Sequence, residues 1–488
     1  MRWLAVPPKG LCEHDLTEQF SCWRLYHFVV NRNSRLLCKF ASHFSTSDTI
    51  GNMSQQKGDL QSRLRRLGVV KGARKLKPAP PSKQRPISKS SYDPPEFSIT
   101  AGDALDSLLP GGRVEETAVG ACYVFDHVYP LSYQHGDDRL AELLDFLPKT
   151  AVPYEKDPRF ENLDFQDFLF LDTETTGLAG AGTLAFMVGV AFFEKRRADV
   201  EGQVFVVRQY FLRDHGDEAA MLTLLEELLA DKTALVTFNG RSFDVPLLDG
   251  RYLMNRMITP FADVPHLDLL SPSRRLWRNR LGSCALSALE PNLMGVHRTH
   301  EDVPGFLIPS LYHNYLRTGN PQELVRVFYH NRIDMLSMVT LATRVMRQLG
   351  QPNGNDDALD LFSLGKWQAD LGMVPDGEQN LRLAVTGDLS LEDYHKALYR
   401  LGLLLKQNGR RAEAVPLWKQ IASTTFDDTD AHIELAKFYE WHEKSLPQAI
   451  YWTEQAISLV DGWGRRGEMA LAELNHRLER LKRKMGDE

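Results

Sequence analysis

The stretch Phe168 to Gly177, FLFLDTETTG, constrains this chain more than any other. Phe168, Leu169, Phe170 and Leu171 form a short apolar run of the kind that suits a buried strand. The run ends in Asp172-Thr173-Glu174. Strand side chains alternate, so Asp172 and Glu174 share a face, about 7 Å apart along the backbone. Two carboxylates held together at a strand end repel each other and lose hydration. A divalent cation relieves both costs, whereas a solvated acidic strand end avoids them. Deciding between the two requires more ligands from elsewhere in the chain.

A length of 488 residues exceeds one average domain and predicts two or three folded units. Hydrophobic content of 43% and charged content of 25% are ordinary for a soluble protein. The net charge of −6 gives no global sign of polyanion binding, which leaves that task to a local basic patch. Five cysteines without a C-x-x-C pair point to a reducing, cytoplasmic setting and exclude a cysteine zinc cluster. No apolar run is long enough to cross a bilayer, so no membrane partner is expected.

Residues 1–52 start basic but lack the continuous apolar segment of a signal peptide. Met53 opens a normal polar start, so 1–52 is expected to be a non-native or disordered extension. Residues 53–94 are basic and broken by Pro78, Pro80, Pro81 and Pro86. They read as a flexible segment, either a solubilising linker or an arm for a phosphate backbone. Residues 95–161 hold strand-like Cys122–Phe125 and Val128–Tyr129 and a short helix over 140–147. They are expected to pack on the main domain, 162–349.

That domain continues with strands at 183–193 and 204–211, close enough for antiparallel pairing. A helix over 218–229 and a strand at 234–238 complete the order β-β-β-α-β. The Gly-rich bend at 178–182 lacks the Lys-Ser or Lys-Thr of a phosphate loop. A second acidic site follows the fourth strand, in Asn239-Gly240-Arg241-Ser242-Phe243-Asp244. Asp244 precedes a helix over 245–254, where it serves either as an N-cap or as a ligand favoured by the helix start. Asp268 lies in a fifth strand, 266–270, placed to support a ligand or helix. Arg274, Arg275, Arg278 and Arg280 beside Trp277 suit a nucleic-acid backbone and an unstacked base, or else a solvated surface helix. The third acidic site is on a long helix, 322–349, where His330 and Asp334 share a face.

Beyond 350 the composition shifts. Residues 350–386 read as a linker with helices, and 387–488 as helical repeats. Leu398-Tyr399-Arg400-Leu401-Gly402 is echoed by His432-Ile433-Glu434-Leu435-Ala436, and Ala414 by Ala449. The period of about 34 residues is that of tetratricopeptide helix pairs. Such repeats bind a protein partner or brace a neighbour.

The three acidic sites together resemble the DnaQ-like, or DEDD, 3′–5′ exonucleases of the RNase H-like superfamily. Asp172 and Glu174 match the family's D-x-E. Asn239, Phe243 and Asp244 match N-x-x-x-F-D, and Asp334 matches the last acid. The segment around Ser273 to Glu290 and the His330-Asn331-x-x-Asp334 ending look especially like the YprB-like branch. The resemblance implies an α/β fold: an RNase H-like mixed five-stranded sheet with flanking helices, here followed by an all-helical TPR-like solenoid. It implies two divalent cations, Mg2+ or Mn2+, held by Asp172, Glu174, Asp244 and Asp334, with His330 as general base. Asn239, Phe243, Arg274, Arg275, Trp277 and Arg278 are then expected to meet the substrate, a nucleic acid with a single-stranded 3′ end favoured. One departure stands out. His330 is four residues before Asp334 and Tyr329 five before, the reverse of the family's histidine and tyrosine subtypes. That departure keeps open a catalytically weak nucleic-acid-binding or scaffold protein. The extra segments on both sides keep open a structure-specific endonuclease.

Overall fold

The computed structural model describes residues 105–177, 182–195, 202–461, 463–464 and 467–487. The expectations for 1–52 and 53–94 lie outside the described residues. Seven strands form one mixed sheet. They are β1 (Arg113–Thr117), β2 (Gly120–Pro130), β3 (Phe168–Thr175), β4 (Ala185–Lys195), β5 (Gln203–Phe211), β6 (Ala234–Thr237) and β7 (His266–Asp268), in the spatial order β1-β2-β5-β4-β3-β6-β7. The expected five-stranded core is β3 to β7. The β1–β2 hairpin extends it, because β2 pairs antiparallel with β5 from Tyr123–Phe211 to Pro130–Val204. The two strand-like fragments at 122–129 are therefore one strand. β3, β4 and β5 are antiparallel, while β6 and β7 join in parallel on the other side of β3.

The apolar start of β3 explains its central place. Leu169 and Leu171 point into one core with Leu222 and Leu225 of helix α1 (Glu218–Ala230) and Tyr252 of α2 (Asp244–Met254). Phe168 and Phe170 point the other way, into a second core. There they meet Trp277 of α3 (Leu270–Leu281) and Met335, Met338 and Ala342 of a long helix. Burial on both faces is what a continuous apolar run specifies. After α4 (Ile308–Thr318) comes that long helix, α5 (Leu324–Gly350), which lies across the second face.

The helical array begins at once after α5. Three helix pairs follow: α6 (Ala358–Asp370) with α7 (Val374–Ala384), α8 (Leu391–Gln407) with α9 (Arg411–Ala422), and α10 (Asp430–Trp441) with α11 (Leu446–Asp461). A last helix, α12 (Glu468–Asp487), closes the described array. Small residues sit where helices cross. A Cβ on Gly402 would stand 2.5 Å from Trp418 Nε1, and Ala414, Ala436 and Ala449 are fully buried. The pair at 358–384 extends the run seen in the sequence by one unit. It is also joined to the sheet domain. Leu364 and Trp367 belong to the second core, and Arg280 of α3 grips Asp360 with two bonds of 2.9 and 2.8 Å.

Candidate functional site

Strand alternation carries Asp172 and Glu174 onto the Phe168–Phe170 face, just beyond the end of the packed core. Helix α5 crosses that face, so one turn of it presents His330, Asn331 and Asp334 to the strand end. The row of residues beneath the crossing is in register: Asp172 pairs with Gly189, and Gly189 with Gln209. Fully buried Asn331 lies over Gly189. Its Nδ2 donates to Asp172 Oδ2 at 3.1 Å, and its Oδ1 accepts from Gln209 Nε2 at 2.9 Å. Gln209 also donates to the carbonyl of Phe328 at 2.9 Å. These bonds fix the amide's orientation and aim one Asp172 oxygen.

Gly189 is required by this close approach. A Cβ there would stand 2.1 Å from Asn331 Oδ1, with the whole carboxamide within 2.7 Å. A glycine inside an otherwise strong strand marks such a contact. Gly189→Ala is expected to lower stability by about 1–3 kcal/mol through overpacking. The same change should weaken divalent-cation binding, since Asn331 positions Asp172. Thermal melts with and without Mn2+ check both effects; an unchanged cation-induced shift would show that Asn331 does not position the site.

Asp244 arrives from the opposite side. It is the first residue of α2, and its Oδ1 accepts from Thr173 Oγ1 at 2.5 Å. The turn before it is shaped by Asp268, which accepts from the backbone N–H of Asn239 (2.8 Å), Arg241 (3.0 Å) and Leu270 (3.0 Å). Asn239 has φ of 71°, a left-handed conformation that Asn tolerates. Asp268 thus supports the loop, in line with a supporting role rather than direct ligation.

The acids are close enough to perturb one another. Burial, then the charges of Asp244 and Asp334, hold the Asp172 carboxyl well above the usual range. Glu174 is raised by burial, then by Asp172, Asp334 and Asp244. Asp244 is pushed up to about 6, chiefly by burial, against the Thr173 hydrogen bond. Among the described residues, Glu174, His330 and Asp334 bring ligand atoms within 4.8 Å of one another. Carboxylate oxygens with one imidazole suit a hard or borderline divalent cation. These residues fit one such ion, and Asp172 and Asp244 adjoin it as further acids.

His330 is oriented by Asp302, whose Oδ1 lies 2.7 Å from Nδ1. Arg298 Nη1 lies 3.2 Å from the same nitrogen, and Nε2 lies 3.4 Å from Asp334 Oδ2. Tyr329 turns away from the acids. Its hydroxyl meets Thr299 Oγ1 at 3.1 Å, and the Arg332 guanidinium lies 5.3 Å above its ring.

Three residues at this site were not singled out in the sequence: Glu290, Arg298 and Asp302. Arg298 bonds Asp334 Oδ1 and takes a two-pronged grip on Glu290 at 2.6 and 2.7 Å. Glu290 is 2% exposed and also accepts from Ser337 Oγ at 2.7 Å. A signal did exist, since His297 to Asp302 reads H-R-T-H-E-D, but a charged loop has no periodicity to place it.

The expected substrate contacts divide. Asn239, Arg274, Arg275 and Arg278 are exposed, and Phe243 is half-buried one residue before Asp244. Trp277 is a correction. It is 1% exposed, packed in the second core on the face of α3 opposite the arginines, so its ring cannot receive a base.

Residues 169–346 match the RNase_H superfamily. A Bacillus subtilis (strain 168) protein, Uncharacterized protein YprB, is 31% identical over 372 residues, covering 74% of this chain and 86% of the relative. No described helix is long and apolar enough to cross a membrane.

Proposed function

The chain belongs to the YprB family of RNase H-like proteins, and from that premise we propose that it is a divalent-cation-dependent nuclease of the DnaQ-like type, trimming single-stranded nucleic acid from a 3′ end. The observation that carries this reading is the convergence of Asp172, Glu174, Asp244 and Asp334, from three separate elements, on one strand end, where burial and the neighbouring acids hold the Asp172 and Glu174 carboxyls well above the usual range. Stability alone gives no reason to gather four acids there. In this reading two Mg2+ or Mn2+ ions are held by those four residues, with His330 beside them. Bound cations of this kind generate a nucleophile near neutral pH and offset charge on the leaving oxygen.

The chain's own groups supply the rest. In this reading His330 serves as the base and not as a ligand: its Nε2, with Nδ1 held by Asp302, accepts a proton from the attacking water. Asn331 aims Asp172, and Thr173 holds Asp244. The Asn239–Phe243 turn positions the terminal nucleotide. The unit at 162–349 carries the chemistry, the array beyond it is of the tetratricopeptide kind, and the setting is cytoplasmic.

A second reading keeps the fold and the binding but little catalysis. It is favoured by the Arg298–Asp334 pair, which already neutralises one acid, and by there being one three-atom cluster among the described residues. One experiment separates them. Single-stranded DNA and RNA, labelled at either end, are incubated with the full chain and Mn2+ or Mg2+. Nucleoside 5′-monophosphates released from the 3′ label, and lost in EDTA, are the expected result. Internal cuts from both labels would point to an endonuclease, and binding without products to the second reading.

A further inference from the structure

Four exposed cations, Arg274, Arg275, Arg278 and Lys366, line one groove outside the acidic cluster. On α3, Arg274, Arg275 and Arg278 face outward while Ser273, Leu276 and Trp277 are buried. Arg274 and Arg278 are four apart on one helix face, a like-charge spacing that costs stability unless something anionic sits over it. Opposite them, across a groove of about 740 Å³, stand Lys366 of α6 and Lys396 and Arg400 of α8. The groove is lined by six basic side chains and one acid, Asp370. Arg400 pairs with Asp370, and Lys396 with Glu392 and Asp393. Arg274, Arg275, Arg278 and Lys366 have no ion-pair partner among the described residues. In a chain with a net charge of −6, this concentration of uncompensated positive charge is a local departure.

The groove has aromatic walls and a direction. Half-buried Tyr399 and largely buried Trp367 line it, and the Arg275 guanidinium lies over the Trp367 ring, 6.0 Å from its centre. Two further depressions, of about 530 and 420 Å³, share Arg274 and Arg278 with it. Both reach Asn239, and the second also takes in Arg241 and Ser242, on the turn that ends at Asp244. The basic surface therefore runs from the helical array, past α3, to the loop carrying one of the catalytic acids.

We propose that this groove, built jointly by α3 and the first helices of the array, is a binding channel for the backbone of single-stranded nucleic acid entering the acidic site. The inference rests on the nuclease reading for its direction, but not for its ligand. Its content is that the array is a substrate-binding arm, with Arg274, Arg278 and Lys366 contacting phosphates and Tyr399 offering a face for a base. A duplex is not required, because the contacts are a charged track with an aromatic wall rather than a groove-filling helix.

The test uses the full chain carrying Asp172→Asn, so that the probe survives, and fluorescent single strands of one sequence as DNA and as RNA, from four to sixteen nucleotides. Affinity is expected to rise with length over this range. The variant Arg274→Ala/Arg278→Ala/Lys366→Ala should weaken binding of the longest strand by roughly tenfold or more, flatten the length dependence, and reduce the salt slope by about two. Lys366→Glu alone, on the array and not among the residues of the acidic site, should weaken the long strand but not the shortest. Melting temperatures must stay close to the parent's, as expected for exposed, unpaired side chains. Equal affinity of parent and variants for long strands overturns the proposal, as does a poly-glutamate peptide that displaces the nucleic acid at matched charge. A DNA or RNA preference sustains it and identifies the source. If strands bind through the groove but the parent chain, with Asp172 intact, never cuts them, the channel stands and the nuclease reading fails. If strands are cut while the variants bind normally, the reverse holds.

Discussion

Asp172→Asn is expected to lower cation-dependent hydrolysis by roughly a thousandfold or more, because the charge it removes is the one at the centre of the acidic cluster. The substitution is close to isosteric, and Asn331 Nδ2 still finds an oxygen to donate to, so the fold should persist. Without added cation the variant should melt no lower than the parent, since one of several mutually repelling carboxyls is gone. The pH dependence gives a second handle. Asp172, Glu174 and Asp244 have folded values above their unfolded ones. Their stabilising contribution is therefore complete below about pH 4 and is lost as pH rises, through about 6 in the case of Asp244. Cation binding runs the other way, because the ligands must lose protons, so the thermal shift produced by Mn2+ should grow across the same window. Melting curves at about pH 5 and about pH 7.5, with and without Mn2+, read both slopes. An Asp172→Asn protein that keeps the parent's Mn2+ shift and its activity would remove Asp172 from the site.

Arg298→Ala should cost about 3–5 kcal/mol of unfolding free energy, the largest single-residue loss expected outside the apolar cores. The reason is what it leaves behind. Glu290 is 2% exposed and, among the described residues, would keep only Ser337 Oγ as a side-chain donor, with no cation beside its charge. Asp334 would lose the bond on Oδ1, and with it the constraint that leaves Oδ2 toward His330. Chemical denaturation of Arg298→Ala and of Arg298→Ala/Glu290→Gln distinguishes the causes. If the stranded charge dominates, the second change recovers much of the loss. Equal stability of Arg298→Ala and parent would mean that the ion pair contributes nothing net.

The acids of β3 were legible because a strand has a strict period of two, so FLFLDTETTG by itself puts Asp172 and Glu174 on one face. His330 and Asp334 were legible as helix neighbours for the same kind of reason. Gly189, a glycine inside an apolar strand, signals a close approach but not what approaches, and Gln209 carries no signal. Their importance comes from sheet register, Asp172 beside Gly189 beside Gln209, and from the path of α5 above that row. Trp277 was misassigned because an aromatic among arginines reads as surface until the helix face is known. The alternation of buried Leu276–Trp277 with exposed Arg274, Arg275 and Arg278 settled it. Arg298 and Asp302 lie in a segment without regular structure, where chemistry depends on contacts that no local pattern encodes.

What the chain's one-dimensional pattern determined is therefore the order of elements and the face on which each acid lies, because those follow from periods of 2 and 3.6 residues that act locally. Tertiary structure decided which faces meet. It put α5 over the end of β3, brought Asp302 and Arg298 to His330 and Asp334, and set the helical array against α3. Those outcomes depend on how two apolar cores close around one sheet, a property of the whole packed chain rather than of any segment.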